Sequence, residues 1–125
     1  MHRSGTSCVA GMLQASGAAS AGPAVRNWDN ARGHHEALAL VRLNETVLAR
    51  SRMNWITAPA DTRDVTVRWT DEDEREPERL LGTPIDGRAP LLKDPRMLLC
   101  LPFWRAARIP FHALGVVRHP AAAAR

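Results

Sequence analysis

Apolar positions recur at helical spacing close to the start of the chain: Val9, Met12 and Leu13 share one face, and Gly17 follows as a C-terminal stop. The spacing predicts a helix from about Ser7 to Ser16, with "SGAASAGPA" as a loop behind it. After "NWDNARGHHE", Leu38, Val41, Val47 and Leu48 trace one face of a second helix from about Glu36 to Arg50.

Between Pro59 and Arg88 the pattern weakens. "VTVRW" alternates like a strand, whereas "DEDEREPERLL" suits either the acidic start of a helix or a solvated linker, and the reading at 65 to 69 stays open. "PLL" before Lys93 is short and apolar, and "FHALGVV" before Arg118 reads as a buried strand. "RMLLCLPFWRAA" between them reads as a helix bent at Pro102. Helices alternating with short apolar strands imply an α/β layered fold with a parallel sheet. No internal repeat is visible.

Composition narrows the class without naming a partner. The 125 residues are 45% hydrophobic and 24% charged, the balance of one globular domain. A net charge of +4 suits a polyanion or a phosphorylated ligand and selects neither. Lys93 is the only lysine in an arginine-rich chain, so it carries more information than any one arginine. Cys8 and Cys100 are too few for a disulfide framework and have no metal-ligand spacing, so no metal is expected and a reducing compartment is the default. The stretch from Arg3 to Ala24 imitates a signal peptide, but Gln14, Ser16 and Gly17 interrupt its apolar core. No run approaches a membrane span, and the expected location is cytoplasmic.

The opening "HRSGTS" has a chemistry of its own. Backbone N–H groups at a helix start, left open by the missing side chain at Gly5, converge on an anion, with Arg3, Thr6 and Ser7 adding donors. The plainer alternative makes Ser4, Thr6 or Ser7 an ordinary helix cap. The Gly-Lys-Ser/Thr ending of an ATP-type loop is missing, which disfavours nucleoside triphosphate hydrolysis.

Four blocks, "MHRSGTSCVAGML", "NARGHHEALALVRLNETVL", "LLKDPRMLLCLPFW" and "GVVRHPAAAAR", stand in the order and approximate spacing of the P-loop sulfotransferase family, especially its bacterial members. The chain resembles that family over more than half its length. The resemblance implies a P-loop NTPase-like three-layer α/β fold and 3′-phosphoadenosine 5′-phosphosulfate (PAPS) as sulfuryl donor. It further implies that Arg3, Ser4, Gly5, Thr6 and Ser7 grip the donor's 5′-phosphosulfate and that Arg118, in "VVRHP", holds its 3′-phosphate. The family's first strand is expected directly before Met1 and a donor-binding serine just past Arg125. The expectation is therefore a single partial domain over 1–125, lacking that strand, with 59–88 as a variable or acceptor-side insert.

Lys93, in "KDPR", matches the family's lysine at the donor's bridging oxygen. A compact ammonium neutralises charge developing there as the S–O bond breaks. The alternative is a surface lysine at a strand end. Asp94 either orients Lys93 or Arg96 or simply caps the next helix. A hydroxyl or amine acceptor must also lose a proton, which requires a base. Many family members place a histidine just after the lysine, where this chain has Pro95. Glu36, in "RGHHE", matches the carboxylate that other branches use, His34 and His35 are alternatives, and Glu36 as a helix-dipole partner is the plain reading.

Trp28, Trp55, Trp69 and Trp104 suit core or lid packing better than an acceptor pocket, and the acidic run Asp71 to Glu78 suits a solvated face better than a cation site. The expected activity is transfer of a sulfuryl group from PAPS to a small-molecule or glycan acceptor. The rival is a truncated, non-catalytic remnant that at most binds a phosphorylated nucleotide. A nucleic-acid module has little support, since aromatics are few and no recognition motif is present.

Overall fold

The computed structural model describes residues 4–25, 35–56, 66–81 and 84–119. Helix α1 spans Thr6–Ala15 and is entered from Gly5, whose φ of 96° lies in the left-handed region open to glycine. Gly17, with φ 106°, ends it as the sequence predicts, and the amide of Ala18 donates back to the carbonyl of Leu13 at 3.0 Å. The chain then turns into strand β1, Ala19–Ser20, inside the stretch read as a loop. Small residues around two glycines hide so short a strand, which is visible only through its partner.

That partner is β2, Pro90–Leu91, where "PLL" predicts a strand. The two strands are parallel, with Ala19 beside Pro90 and Ser20 beside Leu91, and the amide of Ala19 donates to the carbonyl of Ala89 at 2.9 Å. Pro90 opens its strand, a position where its missing N–H is tolerated. Helices with a two-stranded parallel sheet make the fold mixed α/β. Among the described residues no helix is long and apolar enough to cross a membrane.

Helix α2, Leu38–Arg50, carries the core. Leu40, Val41, Leu43, Val47 and Leu48 recur at three- and four-residue intervals and are buried. It starts at Leu38 rather than Glu36 because Glu36 and Ala37 serve a β-bridge. Ala24 pairs antiparallel with Ala37, and Val25 donates to the Glu36 carbonyl at 2.7 Å. Those two residues are thereby committed to extended backbone.

Neither strand nor helix forms over 66–70. Val67 is buried against the core, and the amide of Arg68 donates at 2.8 Å to Oγ of Ser51 at the end of α2. The acidic stretch adopts the helical alternative. Thr70 and Asp73 exchange side chain-to-amide hydrogen bonds of 2.9 and 3.3 Å, a reciprocal cap that opens a 3₁₀ turn at Asp73–Arg75 and then helix α3, Glu76–Leu81. Asp73 departs from the solvated-face reading, being buried and paired with Arg50 at 2.9 Å.

Pro102 starts a helix instead of bending one. A 3₁₀ turn at Pro95–Leu98 precedes helix α4, Leu101–Ala106, and Pro102 sits in its first turn, where a missing N–H costs nothing. Phe103 and Trp104 of α4 are completely enclosed, and Trp69 meets Phe103 edge-on with ring centroids 5.7 Å apart. The strand expected from "FHALGVV" is absent. Phe111 packs on the core, but Leu114 is 68% and Val117 95% exposed, and no described strand pairs with them. An apolar run without periodicity does not encode whether a neighbour covers it.

Candidate functional site

Parallel strands leave a sheet on the same side, and in open α/β sheets ligands bind where the strands end. Past β2 the chain delivers Leu92, Lys93 and Asp94. Past β1 it runs to Pro23–Val25, whose bridge to Glu36 and Ala37 fixes the approach to α2. The consequence is a contact across 57 positions: Lys93 Nζ donates to Glu36 Oε1 at 2.6 Å. The two side chains are only 10% and 12% exposed. The sequence-predicted lysine and carboxylate therefore meet, and Lys93 is no surface lysine. Glu36 stands just before the α2 N-cap, Ala37, rather than inside the first turn, and its carboxylate is engaged by Lys93.

Behind the pair lies a polar network. Arg96 Nη1 stands 3.6 Å from Glu36 Oε2 and donates to Asp94 Oδ1 at 2.9 Å, while Nη2 reaches Glu45 Oε1 at 3.1 Å. Its guanidinium lies over the Trp55 ring, 5.1 Å from the centroid. Burial works against the Arg96 charge, but Asp94, Glu45 and Glu36 outweigh it and hold its pKa above the ordinary arginine value. Asp94 fulfils two of the roles read for it: it accepts from the Arg96 amide at 3.0 Å, capping the 3₁₀ turn, and orients the Arg96 side chain.

Asp94 Oδ2 accepts from Asn44 Nδ2 at 2.9 Å, and Asn44 Oδ1 accepts from Trp104 Nε1 at 2.8 Å. Sequence reasoning passed over Asn44. The available signal was a polar residue three positions from Val41 and Val47 on the apolar face of α2, fully buried here. Cys100 lies alongside, its thiol 3.7 Å from the Asn44 carbonyl. Desolvation, reinforced by Asp94 and opposed by Arg96, pushes its pKa up to about 12, so it stays protonated and unreactive.

Other expected site residues are placed less decisively. Gly5, which has no side chain to offer, is the N-cap residue of α1. Ser4, Thr6 and Ser7 flank it, and Arg3 and His34 lie outside the described residues. His35, with φ 54°, turns to α1: Nδ1 is 2.8 Å from Gln14 Oε1, and the ring covers Gly11. It ties the segment before α2 to α1 while Glu36 takes Lys93. Arg118 is exposed on the irregular segment where the expected strand is missing. Trp69 and Trp104 serve packing, and Trp28 is outside the described residues. A groove of about 410 Å³, lined by Asp71, Glu74, Glu78 and Arg108 among others, includes neither Lys93 nor Glu36. Among the described residues no group of three or more His, Cys, Asp or Glu side chains is placed to hold a metal ion. Comparison of the chain with family models, with curated proteins and with solved structures found no match.

Proposed function

We propose that the chain is a PAPS-dependent sulfotransferase of the three-layer P-loop class, acting on an acceptor hydroxyl or amine. One observation carries the reading: Lys93 and Glu36, which the family resemblance assigns to opposite ends of the transfer, lie 2.6 Å apart where the parallel strands end. A left-handed glycine opening α1 supports it as an anion-binding turn.

In the reaction the acceptor atom attacks sulfur in line. The bond from sulfur to the bridging oxygen breaks, and its electron pair stays on that oxygen, which leaves as part of 3′,5′-ADP. Lys93 neutralises this charge and Glu36 takes the acceptor's proton. Donor binding exchanges the Lys93 to Glu36 hydrogen bond for one to the donor and opens the carboxylate to the acceptor. Arg3 to Ser7 hold the 5′-phosphosulfate and Arg118 the 3′-phosphate.

The lack of a strand leading into Arg118 favours a second reading, a non-catalytic remnant that binds the nucleotide at most. Ligand-dependent melting and turnover separate the two. At about a hundredfold over Kd, 3′,5′-ADP adds about 2.7 kcal/mol of stability and raises the melting temperature. No rise refutes the sulfotransferase reading, and a rise without release of 3′,5′-ADP from PAPS leaves a nucleotide-binding remnant.

A further inference from the structure

Lys93 and Glu36 do not stand alone: Arg96 forms an ion pair with Glu36 at 3.6 Å, and from Arg96 hydrogen bonds run inward to the centre of the core. Trp104 donates to Asn44, Asn44 to Asp94, and Arg96 to Asp94, with Arg96 Nη1 beside the second oxygen of Glu36. A fully buried polar side chain on the main packing helix is costly unless every polar atom is paired. An apolar residue of similar size would fill the same space without that demand.

The donors and acceptors leave no second arrangement. Indole nitrogen only donates and a carboxylate only accepts, so the amide must turn Oδ1 to Trp104 and Nδ2 to Asp94. Leucine supplies neither group, and aspartate would set a second carboxylate against Asp94. Asp94 spends its other oxygen on the backbone and guanidinium of Arg96. Arg96 is thus fixed between Asp94, Glu45 and the Trp55 ring, and its Nη1 borders the oxygen of Glu36 that Lys93 does not use.

We infer that Asn44 is a positioning residue for the Lys93–Glu36 pair, acting through Asp94 and Arg96. Its role in turnover rests on the sulfotransferase reading, but its hold on the pair does not. Without Asn44, Asp94 loses a partner, its hold on Arg96 loosens, and Arg96 no longer steadies the carboxylate that pairs with Lys93.

Because Lys93 is the only lysine, its pairing is measurable by itself. The rate of ε-amine labelling by acetic anhydride is read at Lys93 by mass spectrometry, well below the melting temperature of each protein. The four proteins are wild type, Asn44→Leu, Glu36→Gln and the double variant. Asn44→Leu speeds labelling about tenfold when Glu36 is present and less than about twofold in the Glu36→Gln background, the non-additivity of residues acting through one another. An equal or larger increase with Glu36→Gln, or no increase in either background, overturns the inference. Asn44→Asp, matched in size, supplies the same cycle if the leucine variant does not fold. Turnover of PAPS by the same proteins adds a split: kcat falls while KM for the donor holds. Absence of turnover from wild type strikes the sulfotransferase reading and leaves the labelling cycle decisive for Asn44.

Discussion

Trp104 gives its indole N–H to Oδ1 of Asn44 at 2.8 Å, in a core where both side chains are fully enclosed. Trp104→Phe removes the donor and strands the amide oxygen. Unsatisfied buried polar atoms cost about 1–3 kcal/mol, and the smaller ring adds a cavity. Urea unfolding is expected to show a loss of at least that size, and no loss would mean that the amide finds another donor.

Lys93 and Glu36 are nearly buried, so breaking their pair leaves a charge in a poor solvent. Lys93→Ala and Glu36→Ala are each expected to cost about 3–5 kcal/mol, with the double replacement costing clearly less than the sum. Additive losses in chemical denaturation would show that the two side chains do not depend on each other.

The two thiols should behave oppositely. Cys8 is exposed and Cys100 is buried, with a pKa raised to about 12 from an ordinary value near 9. A raised thiol pKa favours the protonated form in the fold, so its contribution is complete below pH about 9 and is lost as pH climbs through about 12, at about 1.4 kcal/mol per pH unit. Wild type is expected to lose stability relative to Cys100→Ala over that window, and a disulfide reagent to modify one thiol in the folded chain and two in denaturant. Prompt modification of both would contradict the burial.

Gly5 holds a φ of 96°, and a Cβ there would meet no atom within 4 Å, so any penalty for Gly5→Ala is conformational. The left-handed region costs other residues about 1–2 kcal/mol. Gly5→Ala is expected to lose about that much stability and most of its stabilisation by 3′,5′-ADP. Unchanged ligand stabilisation would take the turn out of the donor site.

The long helices were legible because their apolar positions repeat at the helical period: Val9, Met12 and Leu13 for α1, Leu38, Val41, Val47 and Leu48 for α2. Strand β2 was legible in "PLL". Its partner was not, since Ala19–Ser20 lies among small residues and glycines that read as loop. The run at 111–117 was apolar enough for a strand, but burial depends on neighbours that the run does not encode, and Val117 is in solvent. Glu36 and Lys93 were singled out by family resemblance and by the rarity of lysine; their contact was not, because nothing in a spacing of 57 positions specifies it. Asn44 was hidden for the opposite reason. On an apolar face a polar residue reads as an interruption, and only the closed set of partners from Trp104 to Asp94 shows its use.

In the proposed reaction Lys93 neutralises the leaving oxygen of a sulfuryl donor while Glu36 takes the acceptor's proton. That division of roles is tested most directly by single-turnover formation of 3′,5′-ADP from PAPS, with a panel of hydroxyl and amine acceptors, in wild type and Lys93→Ala. Wild type is expected to turn over measurably and Lys93→Ala to lose about 10²–10³-fold, with PAPS affinity nearly unchanged. Lys93→Arg restores only part, since the guanidinium is broader and its charge more spread. No turnover by wild type with any acceptor, or equal rates for wild type and Lys93→Ala, would contradict it.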